Sequence, residues 1–155
     1  MSCSIITELV DRYIAVSYSV TNIAETLVKE QIGSDLTNDQ HYMLRYMSGA
    51  KTCTSTELAA AFNVKKSAIT AIITRLHEKG LIERDRDEND RRVVYLTLSD
   101  KGHELFEKAE NRIHTLVESF INKFDPEEIT QFIETYEKLN RLLIENKEMH
   151  TGESE

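Results

Sequence analysis

The sequence predicts a mainly α-helical protein with one small β-hairpin. Three observations support this fold class: apolar residues recur at helical spacing along most of the 155 residues, there is only one proline, and a single β-branched, aromatic run interrupts the helical period near residue 95. With only five glycines, long helices can continue without interruption. Residues 1–155 have the length of about one domain, and a single domain is expected.

The first two helices are delimited by simple sequence signals. Apolar side chains follow a three-four spacing over residues 5–32, and Gly33 ends this helix. Thr37 and Gln40 form a capping box that opens a second helix, which reaches Gly49.

A tight pair of helices is predicted next. Thr54 and Glu57 repeat the capping box and open a short helix that ends at Phe62. The following helix covers about residues 64–79 and ends at Gly80, since glycine takes the left-handed conformation at a helix end.

The segment 81–99 changes from helical to strand-like period. A charged run precedes the β-branched and aromatic residues 93–98, and Asn89 with Asp90 supplies turn chemistry between two short strands. Ser99 then caps a helix over about residues 100–124.

Asp125 and Pro126 open the last helix, with acidic residues at its positive end. This helix is expected to reach residue 146, and residues 147–155 are expected to fray.

Residues 54–76 have the pattern of a helix-turn-helix. Asn63 occupies the turn, where a left-handed residue is needed. The side chains expected in the core between the two helices are Leu58, Phe62, Val64, Ile69, Ile72 and Leu76. Those expected to face outward are Lys65, Lys66, Ser67, Thr70, Ala71 and Thr74. A small, hydroxylated and basic helix face suits the DNA major groove, although an ordinary helical hairpin with a solvated basic face is the alternative.

The charged hairpin 82–99 suits a wing. Arg91 and Arg92 lie at its tip, where arginine fits a narrow minor groove, and Asp90 could hold Arg92 in an ion pair. The alternative is a solvated turn of mixed charge, since Asp85, Asp87 and Glu88 lie in the same segment.

The charge distribution favours a nucleic-acid partner for the middle of the chain. The net charge is −8, yet residues 51–102 carry ten basic and eight acidic side chains, whereas the remaining residues carry nine and nineteen.

These motifs together resemble the multiple-antibiotic-resistance regulator (MarR) family of winged helix-turn-helix transcription regulators. The resemblance rests on Asp90-Arg91-Arg92 followed by Leu96, Leu98, Ser99 and Gly102, on Leu36-Thr37 with Gln40, on Leu81-Ile82 with Arg84, and on the order of six helices and one wing. It covers nearly the whole chain.

The resemblance implies a homodimer that binds an inverted-repeat operator in double-stranded DNA, usually as a repressor. Residues 51–100 would form the DNA-binding part, with residues 1–35 and 101–147 as the helical dimerisation part. The helix 65–79 would enter the major groove and Arg92 the minor groove, and Thr54 and Ser55 are counted among the DNA contacts. A small aromatic or lipophilic effector would bind in a cleft, for which the candidate residues are Tyr13, Tyr42, Tyr46 and Phe62.

The two long terminal helices support the dimer independently. Both are amphipathic and lie at opposite ends of the chain, and their apolar surface exceeds what the centre needs, so a shared interface would bury it.

Three alternatives remain open at this point. One alternative is a winged-helix adaptor that binds only protein partners. A metal-sensing regulator could use the helical stripe of His103, Glu107, Glu110 and His114 with His41, and a redox-sensing regulator could use Cys3 or Cys53, which lies near Lys51. No metal or cofactor is assigned.

An enzyme is not expected, because the sequence has no phosphate loop, nucleophile elbow or His-Glu-x-x-His motif. A chain with no signal peptide and no apolar run long enough to span a membrane is expected in the cytoplasm.

Overall fold

The computed structural model describes residues 3–151, with Cys3 and Thr151 described by their backbone only. This part of the chain contains six helices and one two-stranded antiparallel sheet. The elements are α1 (Cys3–Ile32), α2 (Asn38–Ala50), α3 (Ser55–Phe62), α4 (Lys66–Glu78), β1 (Ile82–Arg86), β2 (Val94–Leu98), α5 (Asp100–Ile121) and α6 (Pro126–Thr151). The chain separates into two compact units, residues 1–113 and 114–155.

The predicted helix-delimiting signals of the first unit are confirmed. The hydroxyls of Thr37 and Thr54 each accept the backbone N–H three residues later, and both capping boxes are complete. Asn63 has φ 51 and ψ 46, the left-handed conformation that the turn requires, and Gly80 has φ 71 at the end of α4.

The core of the first unit joins α2, α3, α4, the hairpin and the start of α5. Its fully buried side chains are Leu36, Met43, Leu44, Met47, Leu58, Ile69, Leu76, Leu81 and Leu96. Ile32 and Val28 bring the end of α1 against the same cluster, so the terminal helix is fixed to the core at its carboxyl end.

The predicted core position of Val64 is wrong. It was expected in the core, but 45% of it is exposed, because it lies in the turn before α4 and its N–H bonds to the Ala59 carbonyl at 3.1 Å. The helix starts at Lys66, and Ile73 takes the core position, giving a buried stripe at Ile69, Ile73 and Leu76. Phe62 and Ile72 are partly buried against this core, as expected.

The hairpin is attached to the helices on two sides. Its strands pair from Ile82 with Leu98 to Arg86 with Val94. Cys53 forms a β-bridge to Leu96, with N···O distances of 3.1 and 2.7 Å, so the segment before α3 extends the sheet.

The second unit consists of the end of α5 and α6. α5 ends at Ile121 rather than at about residue 124, and α6 begins at Pro126 as predicted. The predicted fraying is wrong for residues 147–151, which are helical, and residues 152–155 lie outside the described part. Phe132 and Tyr136 stack along α6 with ring centroids 5.5 Å apart. None of the described helices is long and apolar enough to cross a membrane.

Candidate nucleic-acid interface

The outer face of α4 carries the predicted recognition residues. Ser67, Thr70 and Thr74 follow at positions i, i+3 and i+7, which places them on one side of the helix, and all three are exposed. Lys65 and Lys66 are exposed at the amino end of the same helix. Because the opposite stripe is locked in the core, this face presents small hydroxyl and ammonium groups on a rigid element.

Two hydroxyls of the predicted site already have structural partners. The Thr54 hydroxyl accepts the Glu57 N–H at 3.2 Å, so it caps α3 and keeps its own proton for a phosphate oxygen. The Thr70 hydroxyl donates to the Lys66 carbonyl at 2.9 Å, which leaves its oxygen lone pairs for a base donor. Ser55, next to Thr54, is half-buried at the first position of α3.

Asp87 organises the wing tip, and the sequence analysis missed this role. One of its carboxylate oxygens accepts the backbone N–H groups of Asn89 and Asp90 at 2.8 and 2.9 Å, and the other accepts the Tyr95 hydroxyl at 3.2 Å. These N–H bonds come first among the causes that hold the pKa of Asp87 below its ordinary value. An aspartate two residues before an Asn-Asp pair is an Asx-turn signal in the sequence, although its charge alone predicts only a solvated turn.

The predicted Asp90–Arg92 ion pair is present. The Arg92 Nε and Nη2 atoms donate to the two carboxylate oxygens of Asp90 at 3.0 and 3.1 Å. This pair lowers the pKa of Asp90, and the Arg92 backbone N–H adds to the effect. The Arg92 side chain remains 91% exposed, so it is oriented and still accessible. Arg91 is also exposed, and its carbonyl accepts a bond from Arg86 at 3.0 Å.

The four aromatic residues proposed for an effector cleft differ in their surroundings. Tyr46 and Phe62 contact each other edge to face, with ring centroids 6.1 Å apart, which links α2 to α3. Tyr13 and Tyr42 are about half exposed on α1 and α2. The cleft itself stays a prediction.

His41 is a buried titratable residue of α2 that contacts α5. It is 1% exposed, stacks on Phe106, and its Nε2 atom lies 3.1 Å from a carboxylate oxygen of Glu110. Arg45 binds the other carboxylate oxygen at 3.1 Å. Burial lowers the pKa of His41 from its ordinary value, and the Glu110 hydrogen bond opposes this shift only in part.

The surroundings of Cys53 do not support the redox-sensing alternative. Its side chain is 2% exposed, and burial raises the pKa of the thiol to about 11, the opposite of an activated thiolate. The side chain of Cys3 lies outside the described residues. Of the side chains considered for a metal site, His41 and Glu110 are in contact. Among residues 4–150, no group of three or more His, Cys, Asp or Glu side chains could hold a metal ion.

Comparison with known proteins identifies the family. A model described as the MarR family matches residues 34–93. The HTH-type transcriptional regulator BilQ of Clostridium symbiosum is 32% identical over 109 residues, which cover 70% of this chain and 73% of that relative. The chain belongs to the MarR family. It is a DNA-binding transcription regulator, which sets aside the adaptor alternative.

Solved structures of MarR-type proteins share the fold. A MepR-like protein complexed with pseudoligands superposes with a TM-score of 0.66 at 30% identity, covering 86% of this chain and 94% of that one. Streptococcus pneumoniae FabT in complex with DNA superposes with a TM-score of 0.72 at 27% identity, covering 86% and 98%. The predicted winged helix-turn-helix fold is therefore confirmed.

Proposed function

We propose that this MarR-family protein represses transcription by binding an inverted-repeat operator as a homodimer, and that a small effector releases it. The observation that carries the DNA-binding mode is the single exposed face of α4, where Ser67, Thr70 and Thr74 lie in line behind Lys65 and Lys66. Hydroxyls and small side chains allow close approach to base edges, while the lysines meet phosphates. FabT, a relative in fold and sequence, was solved bound to DNA.

Arg92 supports the second contact of this mode. Its guanidinium is oriented by the ion pair with Asp90, and its side chain is 91% exposed. A side chain that enters a narrow minor groove must be accessible in this way. In this proposal residues 51–100 bind DNA, and residues 1–35 with 101–147 form the dimer.

Unburied apolar surface on the terminal helices supports the homodimer. On α1, ten large apolar side chains between Ile5 and Ile23 are each 45–75% exposed. On α6, Phe132, Leu142 and Leu143 are each more than half exposed. Apolar stripes of this extent are energetically unfavourable in water, and a second copy of the chain would cover them.

The DNA-binding mode is tested by salt dependence. If Lys65 and Lys66 each meet a phosphate, Lys65→Ala and Lys66→Ala should each reduce the slope of log affinity against log salt by about 0.9. Lys138→Ala, an exposed lysine of α6, is the control and should leave the slope unchanged. Ser67→Ala and Thr70→Ala should instead change base preference at fixed positions of a half-site. If all four variants bind like wild type, α4 does not read the DNA.

The dimer is tested by mass and by footprint. Sedimentation should give about twice the 17.9 kDa chain mass, and Leu142→Glu should yield monomers that lose operator affinity. Two half-sites about one helical turn, roughly 10 bp, apart should be protected. A wild-type monomer that binds DNA tightly would contradict the proposal.

The effector cleft is proposed at Tyr13, Tyr42, Tyr46 and Phe62, where aromatic side chains suit a small aromatic or lipophilic molecule. An effector lowers DNA affinity only by preferring a state that binds DNA less well, and by linkage DNA must weaken effector binding equally. Titration of aromatic acids and lipophilic cations against a labelled operator measures this release. Tyr46→Ala should abolish it, and a broad panel without any effect would refute it.

A further inference from the structure

The loop between α1 and α2, residues 33–37, is bonded to the last turn of α1. The Lys29 Nζ atom donates to the Gly33 carbonyl at 2.9 Å and also to the Leu36 carbonyl. Leu36 itself is 1% exposed and packs in the core of the first unit. The loop is therefore held to α1 by polar bonds and to the core by an apolar side chain.

Lys79, at the carboxyl end of α4, binds the same loop from the other side. Its Nζ atom donates to the Asp35 carbonyl at 2.6 Å and to the Gln40 Oε1 atom at 3.0 Å. Gln40 is 3% exposed, and its Oε1 atom also accepts the Thr37 N–H at 3.2 Å as part of the capping box of α2. One ammonium group thus joins the end of α4 to the loop and to the buried cap of α2.

The carboxyl end of α4 is also bonded to the start of α5. The Lys101 Nζ atom donates to the Lys79 carbonyl at 3.1 Å, and the Ser99 hydroxyl donates to the Gly80 carbonyl at 2.6 Å. These bonds satisfy carbonyl groups that a helix end leaves without an intrahelical partner. They fix the end of α4 towards α5, whereas only the Lys79 ammonium carries the connection on towards α1.

The direction of α4 depends on this end. Its middle is held by the buried stripe Ile69, Ile73 and Leu76, but apolar packing is non-directional, whereas hydrogen bonds have a preferred direction. The 13 residues of α4 span about 20 Å. A rotation of about 3° at the carboxyl end therefore moves the amino end, where Lys65 and Ser67 lie, by about 1 Å.

We propose that Lys79 is a positioning residue for DNA binding: it fixes the direction of α4 relative to α1 and thereby sets the half-site spacing that the dimer accepts. Lys79 acts through the loop and not through a DNA contact of its own. This consequence rests on the proposed function, in which α1 contributes to the dimer and α4 reads the DNA.

Distances between spin labels within one chain test the position of α4 without DNA. Ser19→Cys and Ala68→Cys place the labels at exposed positions of α1 and α4, in a Cys3→Ser background. Cys53 is buried and stays unlabelled. The labelled chain is diluted with unlabelled chain, so that a dimer contains a single labelled copy.

Lys79→Met keeps the apolar stem but removes the ammonium, so the distance distribution between the two labels should broaden or shift. Lys79→Arg can donate to both oxygens and should restore the wild-type distribution. Lys108→Met is the matched control, because it removes the same charge from the cavity that Lys79 also lines. A wild-type distribution in Lys79→Met, or an equal change in Lys108→Met, would overturn the proposal.

Operators with altered half-site spacing test the consequence for DNA. The half-sites are moved apart or together by one base pair, about 3.4 Å along the axis. In Lys79→Met the ratio of affinities for the preferred and the altered spacing should fall about two- to tenfold, the range for the loss of one hydrogen bond. Base preference within a half-site should stay as in wild type, because the outer face of α4 is unchanged.

The failures of the two ideas are distinguishable. An unchanged ratio in Lys79→Met, with all affinities lowered by one factor, would refute the role of Lys79 in spacing. A wild-type protein that accepts every spacing equally would instead contradict the proposed dimeric mode, and the label distances would still decide whether Lys79 positions α4.

Discussion

Gly102→Ala should destabilise the protein, because the start of α5 packs directly on the chain after α4. A Cβ atom at Gly102 would lie 2.0 Å from the Leu81 carbonyl oxygen and 2.9 Å from its carbon, whereas such contacts are essentially never under 3.0 Å. The obstacle is backbone and cannot rotate away. That carbonyl also accepts the Ser99 N–H at 3.0 Å, and the Ser99 hydroxyl caps α5 at the Gly102 N–H.

The size of the effect follows from two opposing contributions. Overpacking of this kind costs about 3 kcal/mol at the upper end of its usual range, whereas replacing a helical glycine returns about 0.5–1 kcal/mol. The net loss of about 2 kcal/mol corresponds to a Tm lower by roughly 4–8 °C for a chain of this size.

Thermal unfolding at equal chain concentration measures this shift, because dimerisation makes Tm concentration-dependent. Gly49→Ala in α2 is the matched control: among the described residues its new Cβ meets open space, so Tm should rise slightly. A Gly102→Ala variant as stable as wild type would refute the packing argument.

Three further predictions concern titratable groups. In a Cys3→Ser background, Cys53 should resist iodoacetamide at about pH 8 until the protein unfolds, because burial raises its pKa to about 11; rapid labelling of the native protein would contradict this. As the pH falls, His41 is protonated in the unfolded chain before it is protonated in the folded protein, because burial lowers the pKa of the folded residue below 6.5. The free energy of unfolding should therefore fall as the pH decreases below about 6.5. His41→Gln should flatten that dependence in urea titrations at several pH values, and an unchanged slope would exclude His41 as its source. Asp90→Asn should lower operator affinity even though it removes a negative charge, because the Arg92 side chain loses the carboxylate that orients it. Glu88→Gln removes the same charge without an Arg92 contact and should raise operator affinity. A rise in affinity in both variants would show that Asp90 acts only through its charge.

Local signals in the sequence were enough for the elements and their order. The two capping boxes, the left-handed Asn63 and the Pro126 start depend on interactions within a few residues, so a sequence pattern contains all the partners. The exposed face of α4 was also predictable, since helical spacing assigns Ser67, Thr70 and Thr74 to one side.

Turns were less predictable than helices. Val64 is apolar and next to a helix, a pattern that predicts a core position. The left-handed Asn63 instead directs the chain so that Val64 lies in the turn, and Ile73 fills the core. At the wing, the sequence around Asp87 predicts only a surface charge, because its partners, two backbone N–H groups and the Tyr95 hydroxyl, come together only when the hairpin closes.

The sequence by itself determined the family, the six helices with one wing, and the side of α4 that faces outward. Only the tertiary structure decided that the Cys53 thiol is buried, that His41 contacts Glu110, which lies 69 residues further along the chain, and that Lys79, Lys101 and Lys108 line one cavity. The physical reason is range: caps and periodicity arise from neighbours in the chain, whereas burial, pKa shifts and convergent charges depend on residues that only folding brings together.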